Sequence, residues 1–153
     1  MKYLLFISLF TVSLLSHAQQ LTLVDELDLG TFAVPDSGQV ATISYDENGN
    51  FSSSGKIYTV APGQAALFEL SGYAGNMRLN ISVLASQPST NSDLLSPQQF
   101  TIVDYHHKPF VVTNGLGEAS FYVGATFRTT GTGGSPFVDT RYFGNFTVQV
   151  DPN

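Results

Sequence analysis

The chain has 153 residues with twelve acidic against six basic side chains, a formal charge of −6, and no cysteine. That balance repels phosphate backbones and anionic lipid, which excludes nucleic acid as a partner. Without cysteine there is no disulfide framework, so the domain must be held by its apolar core. Only 12% of the residues are charged, and the abundance of Gly, Ser and Thr suits a surface-exposed β protein better than a helix bundle.

The chain opens MKYLLFISLFTVSLLSHAQQ, with Lys2, an apolar run from Tyr3 to Leu15, and small residues at Ser16 and Ala18. This is the pattern of a secretory signal peptide over residues 1–18, and cleavage before Gln19 is expected. The run is too short to cross ~30 Å of hydrocarbon, and no later stretch reaches ~20 apolar residues, so stable membrane insertion is not expected. Residues 19–153 suit one domain with one core. Export to the periplasm, the cell surface or the medium follows as the expected localisation.

From there, short strand-like runs follow in order: LTLV (21–24), ELDLGTFAV (26–34), QVATISY (39–45), KIYTV (56–60), AALFELSG (65–72), MRLNISVL (77–84), QFTIVDY (99–105), PFVVT (109–113), EASFYVGATF (118–127) and YFGNFTVQV (142–150). Most alternate apolar with polar residues, as half-buried antiparallel strands do. Turn signals separate them at Pro35-Asp36-Ser37-Gly38, Asn48-Gly49, Pro62-Gly63, Asn114-Gly115 and Gly131–Gly134. A short helix is conceivable only near Ser92–Gln98. The expected fold is all-β, a single antiparallel immunoglobulin-like β-sandwich. A small outer-membrane barrel fits less well, because it needs ~10-residue strands with aromatic girdles, and KIYTV and PFVVT are short.

The segments LDLGTF (27–32), SGYAGNMRLNIS (71–82), GEASFYVGATF (117–127) and YFGNFTVQV (142–150) together resemble the bacterial domain-of-unknown-function family numbered 4402. The resemblance spans Leu23 to Val150 and implies an exported, pilin-like β-sandwich with no assigned reaction. Leu29 stands where Phe is commoner, a conservative departure.

Candidate chemistry is sparse. In YDENGN, Asp46, Asn48 and Asn50 have the spacing that opens a calcium loop, but such a loop needs Gly sixth and Glu twelfth, where this chain has Phe51 and Ile57. A hairpin turn with Asn-Gly at its tip is the expectation. His106 and His107 point to opposite faces of a strand, so only Asp104 and His106 could share an ion, and two ligands do not make a site. There is no nucleophile elbow, and nothing in the sequence sets a serine beside a base. Carboxylates at Asp25, Glu26 and Asp28 read as edge solvation rather than a glycosidase pair. No catalytic residue, metal ligand or cofactor is expected.

Aromatics such as Tyr58, Phe68, Tyr73, Phe121, Tyr122, Tyr142, Phe143 and Phe146 read mainly as core. Two stripes carry the functional expectation. Leu21, Leu23, Leu27 and Leu29, broken only by Asp25, form a candidate strand-donation stripe; the plainer reading makes them the first strand of the chain's own sandwich. Tyr142, Phe146, Val148 and Val150 form the apolar face of a closing strand, expected to pair with EASFYVGATF, with Gly144 and Gly124 in strand interiors covered by flanking aromatics. The expectation is a secreted, non-enzymatic structural or adhesive surface protein, a pilin-like subunit assembling through sheet edges with copies of itself or other surface subunits. The alternative is a monomeric secreted module that binds a glycan or other small ligand.

Overall fold

The computed structural model describes residues 18–85, 100–133, 137 and 144–153. Within them run β1 (Gln20–Asp25), β2 (Asp28–Ala33), β3 (Thr42–Tyr45), β4 (Phe51–Ser54), β5 (Tyr58–Gln64), β6 (Ala66–Ser71), β7 (Arg78–Ala85), β8 (Phe100–His107), β9 (Phe110–Val112), β10 (Ala119–Thr129) and β11 (Phe146–Pro152). All pairing is antiparallel, and the strands form a β-sandwich. The stretch near Ser92–Gln98 and residues Tyr142 and Phe143 lie outside the described residues.

β10 is the spine. Its odd-numbered residues Phe121, Val123, Ala125 and Phe127 are buried while Tyr122 and Arg128 are exposed, the period of two expected of a half-buried strand. Val123 pairs with both Ala66 of β6 and His107 of β8, and Thr126 with both Ser44 of β3 and Asp104 of β8. A strand has two edges, so β8 occupies one and β6 and β3 share the other end to end. β1 extends this upper sheet beyond β6, and β4 extends it beyond β3.

The lower layer is split. Under β6 and the first half of β10 lies the sheet β11-β7-β9, and Phe68, Leu70, Leu79, Ile81, Val111, Phe121 and Val123 form the core between them. Under β3, β8 and the second half of β10 lies the pair β2-β5, with Ile43, Tyr45, Phe100, Ile102 and Phe127 buried and Leu29 and Phe32 packed against them. Burial of each large side chain contributes roughly 1.5–3 kcal/mol. Leu27 and Tyr105 pack against both cores.

Several sequence expectations are corrected here. The terminal strand does not pair with β10: all seven residues of β11 pair with β7, from Phe146↔Ala85 to Pro152↔Leu79. β8 and β3 take both edges of β10 from Thr126 to Arg128 and β6 takes one edge from Ala119 to Val123, while the last strand lies in the opposite layer. Gly144 lies before β11 rather than inside a strand. Gly124 is interior to β10, but the space above it holds the backbone of Tyr45 and Asp46, not an aromatic ring. Pro62-Gly63 is not a turn but part of β5, where the Gly63 N–H donates to the Tyr45 hydroxyl at 2.8 Å. FSSS (51–54) is a strand that its polar composition hid.

Three β-bulges break the period-two pattern. Register slips between Leu23 and Asp25 of β1, between Thr31 and Phe32 opposite β5, and between Thr126 and Phe127 opposite β8. The extra residues are Val24, Val60 and Val103, all three exposed. All three bulges lie in strands with a single described partner, where a bulge twists the edge away from further pairing.

Candidate functional site

A cleft of about 660 Å³ with mixed apolar and polar walls opens where the described lower layer is split. The segment from Glu26 to Leu29 borders one side and Gly144 to Val148 the other; Leu21 and Leu23 of β1 and Phe68, Ile102, Tyr105 and Phe127 also line it. The two stripes singled out in the sequence therefore meet at one place. Leu21, Leu23, Leu27 and Leu29 are not a single strand, since the first two belong to β1 of the upper sheet and Leu29 to β2 of the lower layer. β1 pairs with the chain's own β6, and all six of its residues are exposed, Leu23 at 47%. Phe146, Val148 and Val150 face inward but are only half-buried, packed on the edge of the core. Tyr142 lies outside the described residues.

Both strands bordering the cleft have one edge that pairs with no described strand: β2 pairs only with β5, and β11 only with β7. The bulge at Val103 turns Tyr105 inward along with Ile102, and the Tyr105 ring sits 5.3 Å from that of Phe146. Its hydroxyl is buried and has no hydrogen-bond partner among the described residues. Burial also pushes the Tyr105 phenol above its ordinary range. A cleft with leucine and phenylalanine side chains beside the carboxylates of Glu26 and Asp28, and with strand edges at its border, suits an extended occupant of alternating character.

On the opposite face of β8 is a hydrogen-bonded chain that the sequence did not reveal. His106 Nε2 lies 2.6 Å from Thr126 Oγ1, and Thr126 Oγ1 lies 2.7 Å from Ser44 Oγ. The residues are far apart in sequence, and only the β3-β10-β8 pairing brings them together. The hydroxyl beside His106 is thus a threonine's, and Ser44 reaches the ring only through it. Asp104 Oδ2 lies 4.0 Å from His106 Nδ1, too far for a hydrogen bond. Thr126 is β-branched, in mid-strand, and paired on both sides, so the amides around it serve the ladder; what the arrangement does is tie three strands across their outer face. Asp104 and His106 share that face as expected, and among the described residues no group of three or more metal-ligating side chains is found.

YDENGN forms the hairpin turn between β3 and β4. Asp46 Oδ1 accepts from the N–H groups of Asn48 and Asn50, both at 2.8 Å, and Oδ2 accepts from Asn50 Nδ2. Those three bonds hold the Asp46 carboxyl below its ordinary range, the Asn50 side chain contributing most. The turn from Asn114 to Glu118 repeats the plan: Asn114 Oδ1 accepts from Leu116 and Glu118 N–H, and Asn114 Nδ2 donates to Glu118. The left-handed fourth residue is Gly49 in one and Gly117 in the other, so in the second the Asn-Gly dipeptide itself is not the left-handed step. Tyr58 and Tyr122, read as core, are substantially exposed.

A family model described as Domain of unknown function (DUF4402) matches residues 20–151, which takes in β1 to β10 and all of β11 except Pro152. No curated protein and no solved structure matches the chain.

Proposed function

The chain belongs to the DUF4402 family, and from that starting point we propose that it is an exported, non-enzymatic structural or adhesive surface protein that assembles with neighbouring subunits through its sheet edges. The supporting observation is the cleft: Leu21 and Leu23 are exposed where the described strands of the lower layer stop at β11, and both bordering strands keep an edge without a described partner. An added strand would cover the leucines and satisfy backbone groups in one step. The signal-peptide pattern of residues 1–18 supports export, and the intact mass of the secreted product tests it, since a product retaining Lys2 overturns the localisation.

Sedimentation of residues 19–153 over a wide concentration range tests assembly. Concentration-dependent oligomers that disappear in Leu21→Asp/Leu23→Asp are expected, and a strict monomer at every concentration overturns the reading. The unsatisfied Tyr105 hydroxyl favours a second reading, a monomeric module whose cleft holds a small apolar ligand or a glycan with a hydrogen-bonding group. Native mass spectrometry of the secreted protein, showing a bound small molecule lost in Tyr105→Phe, would establish that alternative.

A further inference from the structure

The sheet edges of this molecule are not equally protected, and the difference singles out one of them. β1, β5 and β8 each carry a bulge with an outward valine, and β4 and β9 are only four and three residues long. Bulges and shortness are the ordinary devices against edge-to-edge pairing. β2 shares the irregular register of β5. β11 alone among the described edge strands is long and regular: its seven residues pair without a slip along β7, and its only charged side chain is Asp151. It also borders the cleft.

We propose that the edge of β11 that pairs with no described strand is the assembly edge and that its partner is β11 of a second copy, paired antiparallel about a two-fold axis at Gln149. This deepens the assembly reading above and rests on it. An isologous contact must be self-complementary. With Gln149 on the axis, Val148 falls opposite Val150, Thr147 opposite Asp151 and Phe146 opposite Pro152. The single carboxylate of the strand then meets a hydroxyl instead of its own copy, and like charges directly opposed are avoided. The inward stripe of Phe146, Val148 and Val150 continues into the partner, because residues of one face stay on that face across an antiparallel ladder. The three-stranded lower sheet becomes six-stranded, and the added apolar stripe extends the layer on the cleft side, where Leu21 and Leu23 lack cover. A two-fold contact closes at two copies, so the unit is a dimer rather than an open filament.

The chain has no cysteine, so introduced thiols report position without interference. Gln149 is outward and exposed, so Gln149→Cys leaves the core intact. On oxidation at dimer-forming concentration, Gln149→Cys should cross-link about tenfold or more faster than Thr22→Cys, an exposed thiol on β1, because apposition across the axis raises the effective concentration. A mixture of Thr147→Cys and Asp151→Cys should form the heterodimer in preference to either homodimer. Equal cross-linking of the Gln149→Cys and Thr22→Cys variants, or no heterodimer preference, overturns the β11 assignment. If the wild-type chain oligomerises in that case, the assembly reading survives and only the edge is wrong; a strict monomer defeats both.

Discussion

A β-carbon added at Gly124 would lie 2.0 Å from the backbone carbonyl oxygen of Tyr45. β3 leaves its pairing with β10 at this point and crosses directly over the spine, so the obstacle is backbone on both sides and cannot swing away. Gly124→Ala should therefore cost more than the roughly 1–3 kcal/mol of ordinary overpacking. Gly115→Ala, with nothing within 4 Å of the new carbon, is the matched control. Urea midpoints that fall equally for the two variants would show that the crossing is soft.

The twin turns predict an asymmetry at position 46. Asn114 performs in its turn the work that Asp46 performs in the other, so Asp46→Asn should keep the melting temperature while Asp46→Ala lowers it. The carboxyls of Asp46 and Asp36 are both depressed, Asp36 chiefly by its hydrogen bond from Lys56 Nζ at 3.0 Å and then by the Gly38 N–H. A depressed carboxyl contributes stability that is present above its unfolded value near 3.8 and is lost as pH falls through the lower folded value. The wild type should thus lose stability below about pH 4 more steeply than an Asp46→Asn variant. Both Asp46 oxygens are already engaged, so millimolar calcium should leave the melting temperature unchanged; a rise that Asp46→Ala abolishes would show an ion site in the turn.

Phe146 is half-buried against Phe68, at 6.4 Å between ring centroids, and Tyr105. Phe146→Ala should cost about 2 kcal/mol, less than the ~3–5 kcal/mol of a fully buried phenylalanine such as Phe121. Chemical denaturation of the two alanine variants checks the order, and a cost at Phe146 equal to that at Phe121 would mean the cleft is closed in solution.

Tyr105→Phe should raise stability by up to about 1–3 kcal/mol, because it removes a buried hydroxyl that has no partner among the described residues. Tyr45 differs: its hydroxyl accepts from Gly63, and Tyr45→Phe should destabilise. Burial raises the phenol of each, most strongly among the causes acting on either. A raised phenol contributes stability that is present below the unfolded value near 10 and is lost as pH rises through the folded one, so alkaline unfolding should begin above about pH 10 and shift in both variants.

The strand pattern was legible because apolar residues alternate through β3, β6, β7 and β10, and the turn at Asp46 was legible from its Asx and Gly residues. Strand partners were not. Sequence neighbours suggested β11 beside β10, but β10 pairs instead with β6, β3 and β8, none of them next to it in chain order, and no local pattern announces that. Bulges were equally hidden: Val24, Val60 and Val103 look like strand interior, and only the register shows that each is an extra residue that shifts which neighbours face the core. Ile102 and Tyr105, three apart, face the same way for that reason. The stripe of leucines at the amino terminus was visible, while its division between two layers depended on the two-residue link Glu26-Leu27 between β1 and β2. The His106–Thr126–Ser44 chain joins three strands distant in sequence and carries no motif.

The division of the interior into two clusters that meet at Leu27 and Tyr105 has a thermodynamic consequence. β10 is the strand that contributes buried residues to both, Phe121 and Val123 to one and Ala125 and Phe127 to the other, so cooperativity must pass along its backbone and through those two side chains. The amides of β7 and β9 and those of β3 and β4 should then exchange with solvent hydrogen through separate openings of unequal free energy. Weakening the junction with Leu27→Ala should widen the gap between them, turning one melting transition into two.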